Sequence, residues 1–157
     1  MEKILITGFS GFVNQYLLAH LATLEKEYTI YGITRNKVSL PNYHNLKIEL
    51  FEADLKDAAL LKSIIAKVNP DTIIHLASDS SVAYSWQHPI ESFQNNTNIF
   101  LHLSEAVRLL DLPCRILSIG SSEQYGIVSS DLLPLKESSP LNPISPYAVS
   151  RVSQEML

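Results

Sequence analysis

Tyr147 and Arg151 stand four residues apart in the run Ser145-Pro146-Tyr147-Ala148-Val149-Ser150-Arg151. On a helix that spacing puts a phenol and a cation on one face. A neighbouring cation favours the phenolate form. A phenol so tuned exchanges a proton with a hydroxyl or carbonyl while a hydride moves to or from a nicotinamide. The plainer alternative is a chance pair on a solvated face. Upstream lies Ser121-Ser122-Glu123-Gln124-Tyr125-Gly126. There the Ser121 hydroxyl is able to hydrogen-bond the oxygen that Tyr147 protonates, and Glu123 is a candidate acid or base if it is shielded from water. A polar turn after a strand is the alternative for this run.

A second set of residues points to a bound diphosphate. Thr7-Gly8-Phe9-Ser10-Gly11-Phe12-Val13-Asn14 follows an apolar run and opens a helical pattern. Glycine lets the backbone turn tightly and approach phosphates, and helix N-terminal amides face the anion. Gly8, Gly11, Phe12 and Val13 are the expected contacts. An ordinary glycine turn between strand and helix is the alternative. Asn14 stands where a third glycine is usual, and its side chain is expected to crowd the helix against the sheet. The next strand-like run ends in Thr34-Arg35 with no acidic residue to hold ribose hydroxyls. Arg35 either pairs with a 2′-phosphate, which favours NADP over NAD, or is a solvated surface arginine. Asp54-Leu55 places a carboxylate near an adenine amino group, caps a helix starting near Lys56, or does both. Leu76-Ala77-Ser78 falls after a further strand, where ligands lie in open parallel sheets.

These residues need a scaffold of alternating strands and helices. Lys3–Thr7 reads as a buried strand, and Thr29–Thr34, Leu46–Glu52, Thr72–Leu76 and Arg115–Ile119 read as further strands. Between them, Val13, Leu17, Leu21 and Leu24 recur at helical spacing, as do Leu61, Ile64, Ile65 and Val68, then Ile99, Leu103, Ala106 and Leu110. The pattern predicts an α/β fold, a Rossmann-type doubly wound parallel sheet with right-handed crossovers. From Ser121 to Pro146 an irregular segment rich in Ser and Pro is expected, of the kind that often carries function. Ser145 and Pro146 look like the N-cap and first residue of a last helix. No internal repeat or linker divides the chain, so residues 1–157 are expected to form one domain.

Composition narrows the function classes. The 157 residues are 46% apolar and 18% charged, as in an ordinary soluble domain. A net charge of -4 offers no basic excess for nucleic acid. No apolar run approaches the ~20 residues of a membrane helix. The start, Met1 to Leu5, leaves no room for a signal peptide, and the single Cys114 fits a reducing compartment, so a cytoplasmic location is expected. His20, His44, His75, His88 and His102 show no metal-ligand spacing, and no Gly-x-Ser-x-Gly elbow marks a hydrolase.

Taken in order, the motifs resemble the extended short-chain dehydrogenase/reductase family. Its pattern is a Thr-Gly-x-x-Gly-Phe-x-Gly loop, an Asp-Leu after the third strand, a Leu-Ala-Ala-like turn after the fourth, a Ser after the fifth, and Tyr-x-x-x-Lys. Here these stand as Thr7 to Asn14, Asp54-Leu55, His75-Leu76-Ala77-Ser78, Ser121 and Tyr147 to Arg151. Ile119-Gly120-Ser121-Ser122-Glu123-Gln124-Tyr125-Gly126 is similar to a run in the GDP-mannose branch of dehydratases and GDP-4-keto-6-deoxymannose reductases. Ser80-Ser81-Val82, Ser85-Trp86 and Ser145-Pro146-Tyr147 also look like that branch.

The resemblance implies Tyr147 as acid–base residue, Ser121 as its assistant, and residue 151 on the nicotinamide ribose. Glu123 takes the C5 proton in a dehydratase. NADP is the implied cofactor, a GDP-hexose the implied substrate, and a homodimer through helices near 98–110 and 146–157 the implied assembly, with Leu101, Leu109 and Met156 as candidate contacts. Three departures stand out: Arg151 for Lys, Asn14 for Gly, and Ile99-Phe100 where Gly-Thr is usual. Family members are roughly twice as long, and the later half carries most of the sugar site. The chain is therefore expected to be truncated before that part, to bind cofactor weakly at best and to turn over nothing alone. The rival expectation is a non-catalytic NADP-binding module or relic that kept the fold.

Overall fold

β-Branched and leucine-rich runs bounded by turn residues become five strands: β1 (Glu2–Thr7), β2 (Tyr28–Thr34), β3 (Leu46–Glu52), β4 (Thr72–His75) and β5 (Arg115–Ser118). The computed structural model describes residues 1–157. All strand pairs are parallel, in the order β3-β2-β1-β4-β5. The helices are α1 (Phe12–Thr23), α2 (Ala58–Val68), α3 (Val82–Gln87), α4 (Pro89–Phe93), α5 (Ile99–Leu109) and α6 (Pro146–Glu155). From β1 the chain steps outward to β2 and β3, then returns to the other side of β1 for β4. Right-handed crossovers therefore place α1 and α2 on opposite faces, which is the doubly wound, Rossmann-type arrangement expected.

The chain folds as two compact units. One comprises Met1–Ser78 with His102–Ile119, the other Asp79–Leu101 with Gly120–Leu157. In the first, Ile4, Ile6, Phe9, Leu18, Leu21, Tyr28, Ile30, Leu46 and Ile74 form a continuous core. The buried residues of α1 are Asn14, Leu18 and Leu21; of the expected Val13, Leu17, Leu21 and Leu24, Leu21 is in the core and Leu17 packs against it, while the other two are not. Val13 is exposed, and Leu24 is the residue that caps the helix end. Asn14 and Leu18 complete the inward face in place of Val13. α2 buries Leu61, Ile64, Ile65 and Val68 as the pattern predicts, and Asn69 ends it in a left-handed turn just before Pro70.

The third helix forms where Ile99, Leu103, Ala106 and Leu110 predict it, as α5. α3 and α4 precede it, and Gln94–Asn98 forms a π-helical turn that leads into α5. Asn96 in that turn is fully buried and satisfied. Its Nδ2 donates to the Asp79 carbonyl at 3.1 Å and to Ser150 Oγ at 2.9 Å, and its Oδ1 accepts from Asp79 N at 2.8 Å. Ser145 caps α6 by accepting from Ala148 N at 3.0 Å, with Pro146 at the first position, as the sequence predicts. No helix is long and apolar enough to cross a membrane.

Candidate active site

In the first unit, Gly8, Arg35, Asp54 and Leu76–Ser78 follow the last residues of four neighbouring parallel strands. They therefore stand at one edge of the sheet, its carboxyl edge, where open parallel sheets hold ligands. Gly8 has φ +68°, a left-handed conformation, and Gly11 N donates back to the Gly8 carbonyl at 2.8 Å. A Cβ on Gly8 would lie 2.7 Å from Ala77 N and 2.8 Å from Ala77 Cα, so only glycine fits this backbone crossing.

The Thr7 hydroxyl fastens the crossing. It accepts from Ala77 N at 3.3 Å and pairs with His75 Nδ1 at 2.8 Å, and all three groups lie at the ends of β1 and β4. Thr7 and His75 are register partners, so their side chains share one face. His75 is a structural partner that the motif reading did not assign. Its signal was a polar residue inside an otherwise apolar strand.

α1 opens at Gly11 with no side-chain cap, and Gly11, Phe12 and Val13 are exposed. Its first amides therefore lack side-chain acceptors, the condition under which a helix N-terminus receives an anion. The glycine cradle and this uncapped end suit a diphosphate. Arg35 is exposed one residue beyond β2. Asp54 is exposed and accepts from Lys56 N at 2.9 Å, but the cap of α2 is Asp57, which accepts from Leu60 N at 2.9 Å. Leu55 is buried, and its carbonyl accepts from His102 Nδ1 at 3.1 Å. Leu76 and Ala77 are half-buried and Ser78 is exposed.

In the second unit, α6 presents Tyr147 and Arg151 on one face. The Arg151 Cζ lies 6.0 Å from the Tyr147 ring centroid. Both are buried, at 7% and 3% exposure. Arg151 Nη1 donates to Gln154 Oε1 at 2.7 Å and Nη2 donates to the Gly120 carbonyl at 3.3 Å. Burial pushes the guanidinium below its ordinary range while the Tyr147 phenol works the other way. An arginine stays protonated throughout, so the cation persists beside the ring. Ser150 Oγ donates to the Tyr147 carbonyl at 2.7 Å, and Thr97 Oγ1 donates to the Ser150 carbonyl at 3.1 Å. Asn96, Thr97 and Ser150 thus hold the helix turn that carries Tyr147. The signal for them was the polar run Gln94–Asn98 inside a helical pattern.

Ser121 follows Gly120 and caps a 3-10 turn (Ser122–Tyr125), its Oγ accepting from Glu123 N at 3.3 Å. Glu123 is exposed, so the shielding its acid–base role needs is not supplied by residues of this chain. The segment from 126 to 144 is largely irregular, as expected, with one further 3-10 turn (Ser130–Leu132).

A five-stranded parallel sheet in 3-2-1-4-5 order, with a glycine cradle where β1 meets α1, defines the Rossmann class of nucleotide-binding domains. Residues 5–157 match the family described as GDP-mannose 4,6 dehydratase. The chain belongs to that family, within the extended short-chain dehydrogenases/reductases. It is 34% identical to the GDP-mannose 4,6-dehydratase of Vibrio cholerae, over 94% of this chain and 42% of that protein. Among solved structures it is similar to RMD from Pseudomonas aeruginosa complexed with NADPH, with 29% identity and a TM-score of 0.78 over 99% of this chain and 48% of that one. It is also similar to UDP-glucose 4-epimerase from Brucella ovis in complex with NAD, with 26% identity and a TM-score of 0.81 over 99% and 46%. The chain spans less than half the length of the curated relatives it matches.

Proposed function

We propose that residues 1–157 act as the NADP-binding and acid–base domain of an enzyme that modifies a nucleotide-activated hexose at C4, of the GDP-mannose 4,6-dehydratase or GDP-4-keto-6-deoxymannose reductase type. The observation that carries the reading is the Gly8 crossing, a left-handed turn pressed against Ala77 beside an uncapped helix. Gly8, Gly11, Phe12 and Val13 hold the diphosphate. Arg35 meets the 2′-phosphate, which favours NADP, Asp54 and Leu55 face the adenine, and Leu76 to Ser78 line the dinucleotide's path. When bound, the nicotinamide gives or takes the hydride at C4. Tyr147 passes the matching proton to or from the C4 oxygen, Ser121 hydrogen-bonds that oxygen, and Arg151 is the cation beside the ring. Glu123 serves as base at C5 in the dehydratase version.

The assembly and location belong to the same proposal. Leu101, Leu109 and Met156 are exposed and supply apolar surface for a homodimer through α5 and α6. A cytoplasmic enzyme acting on a soluble GDP-hexose fits this reading. A second reading, a non-catalytic NADP-binding module, is favoured by Arg151 being engaged with Gln154 and Gly120 and by the exposure of Glu123. Calorimetric titration with NADPH, NADH and GDP-mannose, followed by an assay for oxidation of NADPH by a GDP-4-keto sugar, separates these. NADPH binding ahead of NADH supports the cofactor proposal, and binding of neither overturns it. Turnover favours the enzyme and overturns the module, whereas binding without turnover is the outcome both readings expect of residues 1–157 alone.

A further inference from the structure

The position that most departs from the family's glycine loop is Asn14, and the structure does something other than crowd it. Asn14 is the third residue of α1 and is 3% exposed. Its Nδ2 donates to the Phe9 carbonyl at 2.7 Å, a bond that reaches back across the glycine turn. Phe9 is itself anchored on β2: its N donates to the Ile33 carbonyl at 3.1 Å and its ring packs over Gly32, where a Cβ would collide with it. The turn between Gly8 and Gly11 is therefore tied to the helix by Asn14 and to the sheet by Phe9. Asn14 Oδ1 has no hydrogen-bond partner in this setting. An unpaired buried acceptor is costly, so the side chain is retained at a net expense unless its donor secures something.

We propose that Asn14 is a positioning residue that locks the diphosphate-binding turn, replacing the close helix–sheet packing of a third glycine with a side-chain brace. The inference rests on the reading of Gly8–Gly11 as the cofactor's diphosphate seat. Its consequence runs against the family pattern: restoring glycine at 14 loosens the turn and weakens binding rather than improving it.

Asn14→Ala and Asn14→Gly test the brace by two readouts. Alanine is the better helix former, so any loosening it causes is not a loss of helix propensity. Amide hydrogen exchange needs no ligand. Loss of one hydrogen bond predicts exchange of the Gly11 amide faster by about fivefold in both variants. In parallel, NADPH is expected to bind about fivefold more weakly. Adenosine 2′-monophosphate, which has no 5′-phosphate to enter the turn, is expected to bind as it does to the unaltered chain. Unchanged exchange at Gly11 overturns the brace. Equal weakening of both ligands overturns its role in placing the diphosphate. If exchange responds while the unaltered chain binds no NADPH, the brace stands and the cofactor reading falls.

Discussion

Alanine at position 8 meets two obstacles at once, a left-handed backbone and a close backbone crossing. Gly8 sits at φ +68°, where an L-residue costs roughly 1–2 kcal/mol. The added Cβ would stand 2.7 Å from Ala77 N, 2.8 Å from Ala77 Cα and 3.0 Å from the Leu76 carbonyl carbon. These are backbone atoms, so relief requires moving the 76–77 peptide, and that movement strains the bond from Ala77 N to Thr7 Oγ1. Losing that bond costs about 1 kcal/mol more. Gly8→Ala is therefore expected to destabilise the fold by about 2–3 kcal/mol.

Gly11→Ala is the internal control. Gly11 has φ -76°, open to any residue, and its Cβ would meet only the Gly8 carbonyl oxygen at 3.0 Å. The stiffer unfolded chain gains roughly 0.4–1 kcal/mol, which offsets part of that tight contact, so the net change is expected within about 1 kcal/mol. Urea unfolding followed by circular dichroism measures both. Equal stabilities for the two variants, within about 0.5 kcal/mol of each other, would refute the argument that backbone conformation and the Ala77 crossing reserve position 8 for glycine.

Other expectations follow from separate features. Arg35→Ala should reduce the preference for NADPH over NADH by about tenfold, the lower end of a charge-assisted bond's value because the side chain is exposed. Equal weakening of both dinucleotides in paired titrations would remove Arg35 from the 2′-phosphate. Asp57→Ala should cost about 1 kcal/mol in chemical unfolding, because its carboxylate is the cap of α2. Asp54→Ala should cost less, since Asp54 stops short of the helix. Burial pushes the Cys114 thiol above its ordinary value, so it stays protonated at neutral pH. Alkylation by iodoacetamide should be slow at pH 7 and rise with pH through and beyond the ordinary thiol range, and rapid labelling at pH 7 would contradict that.

The sheet was legible because the central strands β1, β2 and β4 are largely buried and the edge strands still carry short apolar runs, and the five runs agree with β1 to β5 to within a residue or so at their ends. Helix α2 was legible for a related reason: Leu61, Ile64, Ile65 and Val68 form an unbroken apolar stripe. On α1, Leu17 and Leu21 were read correctly, but Val13 was taken for the inward residue of the first turn because Asn14 is polar yet faces the core, and periodicity weighs a residue's type rather than its bonds. α3, α4 and the π-helical turn were missed because their inward residues, Ser85, Ser92, Asn96 and Thr97, are polar and are recognised only once their partners are in place. At the candidate site, residue types and spacing were enough to nominate Gly8, Tyr147 and Ser121. The pairing of Thr7 with His75, and the ties of Arg151 to Gln154 and Gly120, depend on neighbours far along the chain or on rotamers, and spacing encodes neither.

The account depends on main-chain amides at the start of α1 receiving the cofactor's diphosphate. Titrating NADPH into the 15N-labelled chain and following each backbone amide by NMR addresses that contact directly. The account predicts that the largest shifts fall on Gly8 to Val13, with Ala77 responding beside them. Shifts that spare this turn while appearing elsewhere in the chain would contradict it.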